Sequence, residues 1–159
     1  MNASFDSRLL NLVIFSPLLF AAALALLPKN EKGQLRSVTL AGMLVNFALT
    51  IWAFMRFKAL GPEFQLEYRV NWVSEIGLSY HIGVDGLAVA LLLLSGLLGP
   101  MVVLASWTFV DHRVKEFHLA LLLLQTAMLG ALCSLDTLLF YVFFEAMLIP
   151  MYLLIGVWG

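Results

Sequence analysis

The chain is organised by five long apolar runs: Leu9–Leu27, Ser37–Phe57, Val84–Ser106, Phe117–Leu135 and Thr137–Trp158. Each is about as long as the roughly 20 residues a helix needs to cross a hydrocarbon core. In hydrocarbon the backbone must satisfy its own hydrogen bonds, so runs of this length read as helices. The linkers Pro28–Arg36 and Trp107–Glu116 are short and charged. Lys58–Gly83 is too polar to span and changes period. Phe64, Leu66, Tyr68, Val70 and Trp72 alternate with Gln65, Glu67, Arg69 and Asn71. After Ser74–Gly77 the alternation resumes with Leu78, Tyr80 and Ile82 against Ser79 and His81. Period-2 alternation marks a strand with one buried face, and two such runs predict a β-hairpin over about residues 64–82, lying on the membrane surface. The expected fold is an all-α membrane protein: five transmembrane helices with a surface hairpin between the second and third. Residues 1–159 form a single N-terminal transmembrane region on this reading.

Composition agrees with the pattern. Of 159 residues, 62% are hydrophobic and 12% charged, against about 25% charged in an ordinary soluble domain. The net charge of −1 gives no electrostatic reason to expect a nucleic-acid partner. Cys133 is the only cysteine and the three histidines are widely spaced, so neither an internal disulfide nor a metal constellation is expected. A cleaved signal peptide is disfavoured for the first run, because the run is longer than a usual h-region and more basic residues follow it (Lys29, Lys32, Arg36) than precede it (Arg8). The linkers after the first and third runs carry Lys29, Lys32, Arg36, Arg113 and Lys115. The opposite side carries Arg8, Arg56, Lys58 and Arg69. The positive-inside rule therefore places the N-terminus and hairpin outside.

One acid stands inside a run. Asp6, Glu31, Glu63, Glu67, Glu75, Asp111 and Glu116 fall in polar segments or at their edges, and Asp85 and Asp136 stand where N-caps belong. Glu145 lies nine residues past Asp136, roughly 14 Å along a helix and near the middle of a membrane core of about 30 Å. A carboxylate there costs at least about 2.5–3.5 kcal/mol, so it pairs, takes up a proton or faces water. On a helix it shares a face with Tyr141, Leu148, Ile149 and Tyr152. Pro150 lacks an N–H and leaves the Ala146 carbonyl without its usual donor. Gln125, in the fourth run, is either a polar bond between helices or a relay. A Glu145 that stays permanently protonated is the alternative to a proton relay. The aromatic residues around it read as packing rather than as a cofactor box.

The run Asp136-Thr-Leu-Leu-Phe-Tyr-Val-Phe-Phe-Glu145-Ala-Met-Leu-Ile-Pro150-Met-Tyr resembles the fifth helix of the antiporter-like membrane subunits of respiratory complex I. The nearest likeness is to chain M of bacterial NADH-quinone oxidoreductase, equivalent to chain 4 in mitochondria. Gly83-Val-Asp-Gly86, opening the third helix, is also typical of that family. The likeness covers Trp72–Gly159 well and the earlier residues by hydropathy only. It implies a proton-translocating subunit in which Glu145 is the relay, paired with a Lys on a later helix; Gln125, Pro150 and Tyr141 are candidate supporting residues by their positions alone, not by the resemblance. It further implies no cofactor in this chain, with NADH, FMN, iron–sulfur clusters and quinone used by the whole complex. The implied partners are the other membrane-arm subunits and the lipid bilayer. The implied location is a bacterial inner membrane, with the mitochondrial inner membrane as the alternative. A multi-chain Na⁺/H⁺ antiporter subunit and a purely structural membrane subunit are the competing functions. Two departures stand out: Ala88 occupies a position where the family usually has Ser, and the family continues through more helices, so the chain is expected to be a fragment or one piece of a split subunit.

Overall fold

The structure, a computed structural model, describes residues 3–73 and 78–159, with side chains described for 8–71 and 79–159. The order is α1 (Ala3–Leu26), α2 (Lys32–Arg56), β1 (Gln65–Val73), β2 (Leu78–Val84), α3 (Gly86–Ala105), α4 (Val114–Cys133) and α5 (Thr137–Trp158). All five helices are long and apolar enough to cross a membrane. The helices α2 and α4 begin ahead of their apolar runs, at Lys32 and Val114. A helix continues through the headgroup region, where polar side chains are solvated, so apolar length marks the crossing and not the helix. Glu116 therefore belongs to the first turn of α4, where it pairs with Lys29 at 3.3 Å.

Helix α4 is the hub, packing against α1, α2, α3 and α5. Small residues set two of the closest approaches. A Cβ on Gly96 of α3 would collide with Thr50 of α2, and one on Gly130 of α4 would collide with the Phe143 ring of α5. Two apolar clusters fill the bundle. One, around Leu10, Ile14, Leu92 and Leu129, adjoins the hairpin through Ile82 and Val84. The other, around Leu24, Leu35, Val103 and Leu122, lies toward the charged linkers.

A buried polar node is made by four helices. Pro17 cannot donate to the Val13 carbonyl, and Asn46 Nδ2 of α2 takes that carbonyl at 2.7 Å. Asn46 Nδ2 also lies 3.0 Å from Ser16 Oγ. Gln125 Nε2 of α4 donates to Asn46 Oδ1 at 3.3 Å, to the Ser95 carbonyl of α3 at 3.2 Å and to Ser95 Oγ at 3.3 Å. Buried polar groups in hydrocarbon must find such partners, and here they fix how four helices face one another.

The hairpin is antiparallel, with Tyr68 opposite Ile82, Arg69 opposite His81 and Val70 opposite Tyr80. The turn predicted at Ser74–Gly77 lies outside the described residues. Leu66 has a left-handed backbone (φ 58°) where the register shifts. This bulge interrupts the alternation expected from the sequence, and Phe64 is exposed rather than facing inward. Val70 is also exposed, because a two-stranded sheet has few neighbours to cover its far half. Ile82 and Val84 are fully buried. The Tyr80 hydroxyl donates to Asn11 Oδ1 of α1 at 2.6 Å. Burial, then the proximity of Cys133 and Tyr68, pushes that phenol up to about 12, so it is a neutral donor at any physiological pH.

Candidate functional site

The site is built on α5, and the hairpin fixes where α5 begins. Asp136 is its N-cap. Its carboxylate accepts the backbone N–H of Leu138 at 2.9 Å and of Leu139 at 3.2 Å. The Ser79 hydroxyl of β2 donates to the same side chain at 3.1 Å. The Leu135 N–H donates to the His81 carbonyl at 2.9 Å, and Ile82 bridges Ser134. The connector between α4 and α5 thus acts as a third partner of the sheet edge. The Leu139 N–H, then the Ser79 and Leu138 donors, hold the Asp136 carboxyl below the usual carboxylate range. Asp85 does the same capping work for α3, accepting the Ala88 N–H at 2.6 Å. That bond needs only the backbone, so Ala88 serves where a serine was expected.

From this fixed start, α5 leans on the bundle by one stripe. Leu139 and Pro150 are buried, and Phe143, Leu154 and Trp158 are partly buried against the two clusters. These positions are spaced by four or seven residues, one or two helical turns, as one helix face must be. The opposite face carries Tyr141, Glu145, Ile149 and Tyr152, all exposed on the outside of the bundle. The Tyr141 hydroxyl, one turn before Glu145, lies close enough to its carboxylate to interact with it.

The four residues singled out from the sequence therefore separate. Tyr141 and Glu145 come together. Pro150 lies on the packed face, where with Phe15, Thr126, Phe143 and Ala146 it lines an apolar groove of about 340 Å³ between α1, α4 and α5. Gln125 belongs to the polar node and bonds to Asn46 and Ser95, away from Glu145. Ser16 and Ser95 were not anticipated as members of that node. The usable signal was depth: Ser16, Asn46, Ser95 and Gln125 each stand near the middle of an apolar run. His118 is buried one turn into α4, and neither ring nitrogen has a hydrogen-bond partner among the described residues.

The arrangement is a mid-helix carboxylate with a phenol beside it, presented on the face of α5 that points away from α1 to α4. The family described as NADH-ubiquinone oxidoreductase chain 4, amino terminus, matches residues 11–133. The chain belongs to this family. It is 32% identical over 157 residues to NADH-ubiquinone oxidoreductase chain 4 of Marchantia polymorpha, covering 99% of this chain and 32% of that one. It is 34% identical over 154 residues to NADH-quinone oxidoreductase subunit M of Rickettsia prowazekii, covering 95% of this chain and 31% of that one. Its fold matches a chain of respiratory complex I from Thermus thermophilus with a TM-score of 0.75 and 28% identity, over 94% of this chain and 29% of that one. The chain thus spans about a third of the length of these chain 4 relatives. The matched region of the family ends at Cys133, before α5, whereas the alignments to the individual relatives cover nearly the whole chain. With five candidate spans and these relatives, this is a membrane protein.

Proposed function

We propose that this chain is the N-terminal part of a membrane-arm subunit of NADH-quinone oxidoreductase that translocates protons, and that Glu145 is a group that takes up and releases them. The observation that carries the reading is the exposure of Glu145 on α5. A lone carboxylate facing lipid at mid-depth costs at least about 2.5–3.5 kcal/mol, so in the working protein that face is covered by protein or by water. The chain 4 relatives are about three times longer, and the additional length is the natural source of that cover and of a cationic partner. A carboxyl between a cation and a proton path exchanges its proton as the partner approaches or withdraws. Tyr141 is a positioning residue, steering the Glu145 side chain along the outer face.

NADH, FMN, iron–sulfur clusters and quinone belong to other subunits on this reading. Among the described residues no three His, Cys, Asp or Glu side chains come together to hold a metal. The bacterial inner membrane is the proposed location, with the other membrane-arm subunits as partners. Glu145→Gln in the complete subunit should abolish proton pumping coupled to NADH oxidation while leaving the complex assembled, and Glu145→Asp should retain part of it. Pumping at the wild-type level in an assembled Gln variant sinks the proposal. An infrared carboxyl band of Glu145 that never changes during turnover would instead mark a permanently neutral, structural acid.

A further inference from the structure

The second charged feature of the molecule lies at the other end of the bundle from the hairpin. The linkers α1–α2 and α3–α4 meet there around a pocket of about 230 Å³ lined by Lys29, Lys32, Arg113, Val114, Lys115 and Glu116. Four cations and one carboxylate face it. Two of the cations are already committed to holding the fold. Lys115 Nζ donates to the Ala25 and Leu27 carbonyls at 2.8 and 2.7 Å, closing the end of α1. Lys32 bonds to Asp111 at 2.6 Å and holds that carboxyl below its usual range, so Asp111 is occupied. The other two have capacity to spare. Among the described residues Lys29 has an exposed 3.3 Å pair with Glu116, a type of contact that gives way easily. The Arg113 guanidinium lies 6.0 Å from the Trp158 ring. Arg113 also opens α4 in a left-handed conformation (φ 51°, ψ 39°) with no side-chain cap; the Glu116 carboxylate takes its own backbone N–H, which leaves the Val114 and Lys115 N–H groups of the first turn as donors beside the pocket.

Depth distinguishes a lipid from a solute. Trp158, at the end of α5, donates its indole N–H to the His112 carbonyl at 3.0 Å, and Trp107 packs partly buried at the end of α3. Two tryptophans at one end of a bundle mark the headgroup level, where the indole is half wet. A basic pocket between membrane helices at that level suits the phosphate of an anionic lipid.

We propose that this pocket seats the phosphate of an anionic phospholipid, with Lys29 and Arg113 as its charge partners and the start of α4 as its hydrogen-bond donor. The lipid then binds both linkers at once and ties α1–α2 to α3–α4. Glu116 is the opposing charge, and it must give up Lys29 when the phosphate enters. The site is independent of Glu145 and does not rest on the proton reading.

The test uses the complete subunit in its membrane complex. A photoreactive phosphatidylglycerol is cross-linked to the complex and its adducts are mapped by mass spectrometry. Adducts are expected on the peptides holding residues 29–32 and 113–116, and a matched phosphatidylcholine probe should give few. Arg113→Asn keeps a residue that tolerates the left-handed backbone, and Lys29→Gln removes the exposed charge without touching the contacts of Lys32 and Lys115. Each removed charge should lower lipid retention about fivefold. Excess inorganic phosphate should not displace the lipid. Equal labelling by phosphatidylcholine, wild-type labelling of the double variant, displacement by phosphate alone, or Lys29 cross-linked to an acidic segment of a neighbouring subunit with no lipid adduct would each overturn the proposal. The wild-type mapping stands even where a variant fails to assemble.

Discussion

Helices α4 and α5 are joined by a connector of three residues and lie side by side, yet they are used in opposite ways. The α4 span has a mean hydropathy of 1.5 and 61% of it is buried, whereas the α5 span has a mean hydropathy of 2.1 and 11% of it is buried. In water the order would be reversed, since the more apolar surface would be driven inside. In lipid there is no such drive between helices, and what needs the interior is polarity and close backbone contact. The α4 helix carries Gln125, Thr126, His118 and Gly130, all inside. The α5 helix presents to its surroundings a nearly continuous apolar coat, which lipid accepts without cost. Glu145 is the exception on the exposed helix, and that contrast is what the proposed proton role rests on.

The contact between the two helices is the place to break the comparison most severely. Gly130→Leu puts a branched side chain where the Phe143 ring already sits. Overpacking of this kind destabilises by about 1–3 kcal/mol, occasionally more, and it should lift α5 from α4. The expected outcome is a lower Tm of the purified subunit in detergent and poor assembly. Phe143→Ala in the same chain should recover part of the loss by making room. A Gly130→Leu protein as stable as wild type would show that the two helices are not held at this point.

A smaller effect is expected where α1 and α2 meet. Asn46→Leu leaves the Val13 carbonyl without the donor that replaces the one Pro17 lacks. Polar contacts between membrane helices average about 0.6 kcal/mol and reach about 1.7; the Val13 carbonyl would keep only the long 3.4 Å bond from the Ser16 hydroxyl, so the loss belongs within that range. Pro17→Ala restores a backbone N–H for Val13. In that background Asn46→Leu should therefore lower Tm by clearly less than it does alone. Equal penalties in the two backgrounds would mean that Asn46 does not serve the proline.

How much of this was readable beforehand depends on what each feature answers to. Five helices and a hairpin follow from apolar length and period-2 alternation, which the bilayer and the sheet impose on any sequence. The caps at Asp85 and Asp136 follow from an acid placed just before an apolar run. The bulge at Leu66 does not, because no residue there favours a positive φ. The packed face of α5 does not either. A helix that is apolar all round has no stripe to read, and the packed face emerges only from tertiary contacts such as Gly130 against Phe143. On α4 the residue that meets α5 at its tightest point is Gly130, and its neighbours Ala127 and Ala131 are small enough that composition alone does not single it out. Gln125 was legible as buried and polar, but its partners Asn46 and Ser95 lie on separate helices and emerge only when depth is matched across them.

The finest probe is the charge at the start of α5. The Asp136 carboxylate is favoured in the folded protein first by the Leu139 N–H and then by Ser79 and Leu138, so its folded pKa lies below the ordinary value of about 3.9. A lowered pKa means that the ionised group adds stability at neutral pH. That contribution is complete above the ordinary pKa and is lost as the pH falls through the lower, folded one. Asp136→Asn keeps a good N-cap and removes only the charge. The wild-type protein should melt slightly above the variant from neutral pH down to about pH 4. The gap should then close with further acidification, once the carboxyl is protonated in both the folded and unfolded chains. Ser79→Ala should narrow the gap at neutral pH, because it removes the hydroxyl that the carboxylate holds at 3.1 Å. A gap that stays constant or widens as the pH falls below about 4 would mean that the hairpin is not tied to α5 through this charge, and the precise placement of the helix carrying Glu145 would then have to come from the α4 face alone.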